Sequence, residues 1–120
     1  MKFELKQHFQ IESARFLPNL AKNHPCHRMH GHSFKVILTL RGVQNPEIGW
    51  VRDYNEISQI ALKTLVLIDH QVLNEVQGLQ NPTSENLAVW IYNKIKQDLP
   101  ELYQISIQET SSTECTFPIY

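Results

Sequence analysis

Alternating apolar and polar positions near both ends of the 120-residue chain predict β-strands there. The first alternating stretch covers residues 2–17, and the second runs from His30 to Leu40. Two more follow at residues 102–109 and 113–117. Residues two apart in a strand project from the same face, so each strand has one apolar and one polar face. This pattern is typical of antiparallel strands that cover a core on one side only.

The middle of the chain has apolar residues at helical spacing and predicts two helices. The first follows Asp53-Tyr54-Asn55-Glu56, which is typical of a capping box. The second follows Asn81-Pro82-Thr83-Ser84-Glu85, an N-cap with an acidic first turn, and ends before Pro100. The resulting order ββααββ predicts one α+β domain over residues 1–120, in which two helices cover one face of a four-stranded antiparallel sheet.

Three of the predicted strands carry polar side chains at one end of their buried face. Arg15 ends that face of the first strand, His30 and His32 begin it on the second, and Glu109 ends it on the third. Pairing the first two strands as a hairpin brings Arg15 beside the imidazoles, and a charge that ends an apolar stripe is costly unless it is paired. We expect a pocket at this end of the sheet. The alternatives are surface histidines, a snorkelling arginine and a glutamate that has reached solvent.

Candidate chemistry is concentrated in residues 24–32, HPCHRMHGH, which hold four of the six histidines and one of the two cysteines. Two imidazoles two residues apart on a strand can share a metal ion, and imidazole suits zinc. Cys26 is a candidate nucleophile or base, because cationic and imidazole neighbours favour a thiolate. His70, which follows Asp69, is a candidate base or proton shuttle. Adjacent side chains do not generally hydrogen-bond to each other, so Asp69 need not orient His70 directly.

The composition of the chain argues against some classes of binding partner and predicts the cellular compartment. A formal net charge of −1 gives no general attraction to nucleic acid or to a membrane surface. Two cysteines are too few for a disulfide scaffold, and no signal peptide is recognisable, so we expect a reduced, cytoplasmic setting. No run approaches the roughly 18 apolar residues of a membrane span. No glycine-rich phosphate loop or dinucleotide fingerprint is present, so a nucleotide cofactor is not expected.

Five motifs occur in a fixed order along nearly the whole chain: Cys26-x-x-x-His30-Gly31-His32-Ser33-Phe34, Gly49-Trp50-Val51-x-Asp53, Asp69-His70-x-x-Leu73-Asn74, Asn81-Pro82-Thr83-Ser84-Glu85 and Glu109-Thr110. In this order they resemble the 6-pyruvoyltetrahydropterin synthase family. The chain looks most similar to the bacterial 6-carboxytetrahydropterin synthases of queuosine biosynthesis. Only three residues separate Cys26 from His30, whereas the pyruvoyl enzymes have a longer loop there.

The resemblance implies a tunnelling fold, in which three subunits join their sheets into a barrel and two barrels stack into a homohexamer with active sites between subunits. It implies a lyase acting on 7,8-dihydroneopterin triphosphate, which loses triphosphate and, in the carboxy branch, acetaldehyde, to leave 6-carboxytetrahydropterin. By position, Cys26 would be the general base and Glu109 would hold the amino group and ring nitrogen of the pterin. Asp69 and His70 of a neighbouring subunit would assist proton transfer. Two hydroxyl residues would add hydrogen bonds to the pterin: Thr83 and Ser84.

The sequence departs from the family at one position. The family's zinc site takes a third histidine from the first strand, in a stretch like Glu-Ala-Ala-His-Arg-Leu-Pro. The corresponding stretch here is Glu12-Ser13-Ala14-Arg15-Phe16-Leu17-Pro18, with arginine at the ligand position. A guanidinium stays protonated and has no lone pair to give, so Arg15 cannot coordinate zinc.

Two interpretations of this change stay open. Either a residue of the preceding loop joins His30 and His32 as the third ligand, or the ion is absent and Arg15 supplies positive charge for a carboxylate or phosphate. Three loop residues are candidates for the ligand: His24, Cys26 and His27. We expect zinc binding to be weakened or absent. The functional alternatives are a 6-pyruvoyl synthase and a protein that binds a pterin or purine-like ring through Glu109 without turnover.

Overall fold

The structure is a computed structural model that describes all 120 residues, and it confirms the predicted order of elements. Its four strands and two helices are β1 (Lys2–Arg15), β2 (His30–Val43), α1 (Tyr54–Leu65), α2 (Ser84–Lys96), β3 (Leu102–Gln108) and β4 (Cys115–Phe117). The strands are neighbours in sequence order, and every neighbouring pair is antiparallel. The α+β architecture is therefore confirmed, and the joining of sheets into a barrel stays a prediction. Neither helix has the length and apolar character that crossing a membrane requires.

The core lies between one face of the sheet and the two helices. The alternation along β2 points Phe34, Val36, Leu38 and Leu40 to this side, and all four side chains are fully buried. They belong to a single cluster of nineteen buried apolar residues, to which both helices and β3 contribute. The apolar face of β2 therefore continues without a break from the core to the two histidines at its start.

Both helices begin with the predicted caps, with one difference. The Asp53 side chain accepts a hydrogen bond from the Asn55 N–H at 2.9 Å, and Thr83 accepts one from the Asn86 N–H at 3.1 Å. Glu56 was expected to complete a capping box with Asp53, and this part of the prediction is wrong. Its Oε2 lies 3.1 Å from Arg52 Nε, because a guanidinium binds a carboxylate more strongly than a neutral backbone N–H does.

The register of the long β1–β2 pair positions the end of the sheet where the predicted pocket lies. Pairing runs from Lys2 opposite Val43 to Arg15 opposite His30, so the predicted hairpin places the arginine beside the imidazoles. The strand ends at Arg15 rather than at residue 17. Beyond it, the Leu17 N–H donates to the carbonyl of Cys26 at 2.8 Å, and this bond draws the connecting loop over the strand end.

After α1 the chain returns along the free edge of β1. The His70 N–H donates to the carbonyl of Glu12 at 2.6 Å, and the Ala14 N–H donates to the carbonyl of Gln71 at 2.9 Å. His70 has a left-handed backbone conformation, with φ of 57°. These bonds hold the Asp69–His70 pair against the outer edge of β1.

Candidate functional site

The centre of the site is a buried ion pair between two strand ends. The Arg15 side chain is only 4% exposed; its Nη2 donates to Glu109 Oε1, and its Nη1 donates to the carbonyl of Pro82 at 2.9 Å. Ser84, in the first turn of α2, donates its hydroxyl to the same Glu109 oxygen. The guanidinium also lies over the Phe34 ring, 5.1 Å from its centroid. The structure therefore brings Arg15, Ser84 and Glu109 together from three separate elements.

These contacts decide the charge of Glu109. Burial alone raises the pKa of this carboxyl group, but the hydrogen bonds from Ser84 and Arg15 and the charge of Arg15 lower it further than burial raises it. Glu109 is therefore a carboxylate at neutral pH. Both hydrogen bonds reach Oε1, so Oε2 is the oxygen left to accept a bond from a ligand.

The two imidazoles lie beside this pair. His30 is opposite Arg15 in the sheet, and the rings of His30 and His32 pack edge to face with centroids 4.7 Å apart. Nδ1 of His30 bonds to the carbonyl of Arg28 at 2.7 Å, which places its proton there and leaves the buried Nε2 without a partner. Burial, and after it the charge of Arg15, lowers the pKa of His32.

The residues around these imidazoles do not complete a zinc site. A zinc site has at least three protein ligands, and no group of three or more histidine, cysteine or acidic side chains is arranged to hold a metal ion. The strand position that faces His30 holds Arg15, which has no lone pair. None of the three loop candidates, His24, Cys26 and His27, forms such a group with the two imidazoles. The donor set that fits a metal is limited to His30 and His32.

Cys26 lines the same cleft as the ion pair. This half-buried cysteine lies in a short 3₁₀ turn, Pro25–His27, and shares a cavity of about 330 Å³ with Arg15 and Glu109. Thr83 and Ser84 form part of the wall. The candidate base, the candidate anchor and both hydroxyl residues therefore face one space.

The two hydroxyl residues already have partners within the protein. Thr83 accepts the Asn86 N–H as the cap of α2, and Ser84 donates to Glu109. A hydroxyl has one proton to donate and two lone pairs, so Thr83 keeps its proton and Ser84 keeps its lone pairs for a ligand. Their predicted bonds to a pterin stay a prediction that this geometry permits.

Asp69 and His70 contact each other, which the sequence alone left open. His70 Nδ1 lies 3.0 Å from Asp69 Oδ1, because the left-handed backbone at His70 turns its side chain back toward its neighbour. The Glu12 N–H donates to the same Asp69 oxygen at 2.9 Å, and this bond is the largest cause of the lowered pKa of Asp69. With Nδ1 bonded to a carboxylate, the Nε2 atom of His70 can take or give a proton, and the side chain is 76% exposed.

Asp69 and His70 do not share the Cys26 cleft. His70 lines a separate cavity of about 530 Å³ together with Ser13 and His32. Cys26 is absent from that cavity, and neither residue of the pair lines the cleft that holds Cys26. One chain therefore presents the candidate base and the candidate proton shuttle on two surfaces.

Two further residues of the site gave no separate signal in the sequence. Asn74 pairs with the backbone of Phe16, accepting its N–H at 3.0 Å and donating to its carbonyl at 2.7 Å, and so fixes the chain just after Arg15. Pro82 contributes only its carbonyl, to the guanidinium of Arg15. Asn74 belongs to the motif Asp69-His70-x-x-Leu73-Asn74, but the spacing within that motif does not indicate that Asn74 bonds to the backbone of Phe16.

We expect the protein to lose stability as the pH falls below about 6.5. The folded-state pKa values of His32, Asp69 and Glu109 are all lowered. Each group therefore adds stability that is fully present above its unfolded pKa, about 6.5 for histidine and about 4 for the carboxyls, and is lost as the pH falls through its folded value. Urea unfolding midpoints measured at intervals of about one pH unit, from about pH 2 to about pH 8, would show both losses.

In that series, His32→Gln is the control variant. It should remove the loss just below about pH 6.5 and keep the later loss due to the carboxyls. A midpoint that stays constant down to pH 4 would contradict the expected linkage.

Comparison with known proteins identifies the family. The family model described as 6-pyruvoyl tetrahydropterin synthase matches residues 4–118. The 6-carboxy-5,6,7,8-tetrahydropterin synthase of Synechocystis sp. is 33% identical over 116 residues, which cover 91% of this chain and 88% of that protein. The 6-pyruvoyl tetrahydrobiopterin synthase of Drosophila melanogaster is 35% identical over 109 residues, covering 84% and 64%.

Among solved structures, the 6-pyruvoyl tetrahydropterin synthase of Caenorhabditis elegans matches with a TM-score of 0.90 at 23% identity, over 100% of this chain and 97% of that one. This likeness supports the fold, and the family model and the curated relatives carry the assignment. The motifs of the sequence predicted the same result. The chain belongs to the 6-pyruvoyl tetrahydropterin synthase family.

Proposed function

We propose that this protein is a lyase that converts 7,8-dihydroneopterin triphosphate and one water into 6-carboxytetrahydropterin, triphosphate and acetaldehyde, in queuosine biosynthesis. The observation that carries the proposal is the cleft in which Cys26 and Glu109 face one space. The relative named 6-carboxy-5,6,7,8-tetrahydropterin synthase supports the carboxy reaction, as does the three-residue spacing between Cys26 and His30.

Glu109 is the proposed anchor of the pterin ring. It is a carboxylate, and its Oε2 is free to accept a hydrogen bond. The amino group and the adjacent ring nitrogen of a pterin are N–H donors, and such donors bind an ionised acceptor about twice as strongly as a neutral one. Thr83, with its unused hydroxyl proton, would add a bond at the edge of the ring.

Cys26 is the proposed general base, which takes a proton from the side chain of the substrate. Asp69 and His70 would relay protons from a neighbouring subunit, because they lie outside the cleft of their own chain. This role requires a homo-oligomer, which we expect to be a hexamer acting in the cytoplasm. The proposed contacts of the triphosphate are basic and imidazole residues in and beside the loop before β2: Lys22, His24, His27, Arg28 and Lys35.

A second candidate function is binding of a pterin or purine-like ring without turnover. Arg15 favours it, because the arginine stands where the family has a metal ligand, and a metal that polarises the substrate would assist the reaction. A 6-pyruvoyl product is the remaining alternative within the family. All three functions use Glu109, so the product of the reaction has to distinguish them.

The test is to incubate the purified protein with 7,8-dihydroneopterin triphosphate and to measure triphosphate, acetaldehyde and the pterin product. We expect equimolar triphosphate and acetaldehyde. Triphosphate without acetaldehyde would indicate the pyruvoyl reaction. Pterin binding without either product, with and without added zinc, would leave the binding function, and no binding at all would rule out a pterin ligand.

Complementation between two inactive variants would test the role of the neighbouring subunit. Cys26→Ala and Asp69→Ala should each be inactive alone, because each disables every site in a uniform oligomer. A mixed oligomer contains some sites with both residues intact, so we expect co-expression of the two variants to restore activity. The matched control is co-expression of Cys26→Ala with His8→Asn, a change at an exposed β1 position outside both cavities. The His8→Asn chain keeps both Cys26 and Asp69, so this mixed oligomer should be about as active as the complementing one.

Activity that the Asp69→Ala variant retains in full would remove Asp69 from the mechanism. Failure of the two inactive variants to complement, in oligomers shown to be mixed, would mean that Cys26 and Asp69 act from the same chain.

A further inference from the structure

The Arg15 side chain is buried and is held by partners within the protein. Its side chain is 4% exposed, and its two terminal nitrogens bond to Glu109 and to the carbonyl of Pro82. A snorkelling arginine would keep its charged end in water. The remaining nitrogen, Nε, is buried without a partner, and so is Nε2 of His30, the residue opposite Arg15 in the sheet. The charge of Arg15 therefore lies at the end of β1, beside the imidazoles of His30 and His32.

A zinc ion and this guanidinium are alternatives at this position. An ion held by His30 and His32 would lie beside a permanent positive charge and would lack a third ligand from the protein. The one acidic side chain that contacts Arg15 is Glu109, and it is already bonded to the guanidinium. Glu109 balances the guanidinium, and no second carboxylate contacts the site to balance the charge of a zinc ion as well.

We infer that Arg15 is the permanent cation of this site in place of a metal ion, and that it positions Glu109 to bind the ligand without zinc. The guanidinium and Ser84 together fix Oε1 of Glu109, and Oε2 stays free on a residue that lines the cleft. Arg15 acts on the ligand through Glu109, since its own charge is paired within the protein. The second half of this inference rests on the proposed pterin binding.

The first half is tested by metal content after dialysis against excess zinc. We expect fewer than about 0.2 zinc ions per chain in the natural protein and about one in Arg15→His, which restores a third imidazole. Arg15→Gln, which has neither charge nor a zinc ligand, should stay near the natural value. One zinc ion per chain in the natural protein, or no gain in Arg15→His, would overturn the assignment.

The second half is tested by fluorescence titration of the metal-free proteins with neopterin. We expect the natural protein to bind it and Arg15→Gln to bind at least about tenfold more weakly, since an orienting bond to a charged group is lost. Arg15→Lys should recover part of the loss. The matched control is Arg41→Gln, which removes an exposed arginine from the other half of the β1–β2 pair and should not change binding.

Two results of this titration would overturn the positioning role. One is equal binding by Arg15→Gln and the natural protein, and the other is binding that appears only when zinc is added. If Arg15→Gln does not fold, the double variant Arg15→Gln/Glu109→Gln removes both charges and still reports zinc content. Absence of neopterin binding in the natural protein would overturn the proposed function and the positioning role together. The metal measurement would still decide the first half independently.

Discussion

Cys26→Ala is expected to lower kcat by at least about 100-fold, the smaller end of the effect of a positioned general base. Binding of neopterin should stay within about twofold, because the thiol is not one of the groups that hold the anchor Glu109. The oligomer should also remain intact, since the cysteine is in a loop turn that is only half-buried. Steady-state kinetics and size-exclusion chromatography would measure these effects.

Cys115→Ala is the matched control for this variant. Cys115 lines the same cleft and is the only other cysteine in the chain. Burial, followed by the nearby charges of Glu85 and Glu109, raises the pKa of its thiol, so it stays protonated at neutral pH and is a poor base. We expect Cys115→Ala to keep nearly full activity. Retained activity in Cys26→Ala would remove that residue from the mechanism, and equal losses in both variants would indicate a general effect on the cleft.

Glu109→Gln is expected to have the second large effect, on binding and stability together. The amide cannot balance the charge of Arg15, so folding leaves an unpaired cation in a site that is nearly closed to water. Removing one partner of a buried pair costs about 3 kcal/mol at the lower end of the measured range, which suits a glutamate that is 25% exposed. Urea unfolding should show this loss, and neopterin titration should show binding weakened at least about tenfold.

The control for Glu109→Gln is a glutamate of similar exposure. Glu101 is 27% exposed and lies 3.4 Å from Arg52, whose side chain is 25% exposed, against 4% for Arg15. Glu101→Gln should cost less than about 1 kcal/mol. Adding Arg15→Gln to Glu109→Gln should recover stability but not binding, because it removes the unpaired cation and leaves the anchor neutral. A Glu109→Gln variant as stable as the natural protein would mean that Arg15 has another counter-charge.

The sheet and its register could be predicted because they depend on local patterns. The two-residue period places Arg15, His30 and Glu109 on the buried face, and the β1–β2 hairpin pairs the first two of these directly. Glu109 joins them because β3 lies beside β2 in an antiparallel arrangement. These three positions required only the strand period and the order of the strands.

The partners of individual polar side chains could not be predicted in the same way. Arg15 and Glu109 are 94 residues apart in sequence, and an arginine at a strand end could equally have reached solvent or bound an external anion. The Asp69–His70 contact depends on one left-handed backbone angle. Glu56 had two partners within reach, and the neighbouring guanidinium of Arg52 outcompeted the backbone N–H. Residues that another subunit would add to the site cannot be predicted from patterns within one chain.

The buried guanidinium on β1 has a consequence for how the protein becomes active. Its charge is part of the polypeptide, so on the inferred role of Arg15 the end of the sheet would carry its full charge once the chain has folded and would need no later step in which the cell delivers an ion. Competition among metals for the same ligands cannot remove it. The same permanence limits its chemistry, because a guanidinium donates hydrogen bonds but has no empty orbital to accept an electron pair. Polarisation of a substrate oxygen at this position would depend on hydrogen bonding alone.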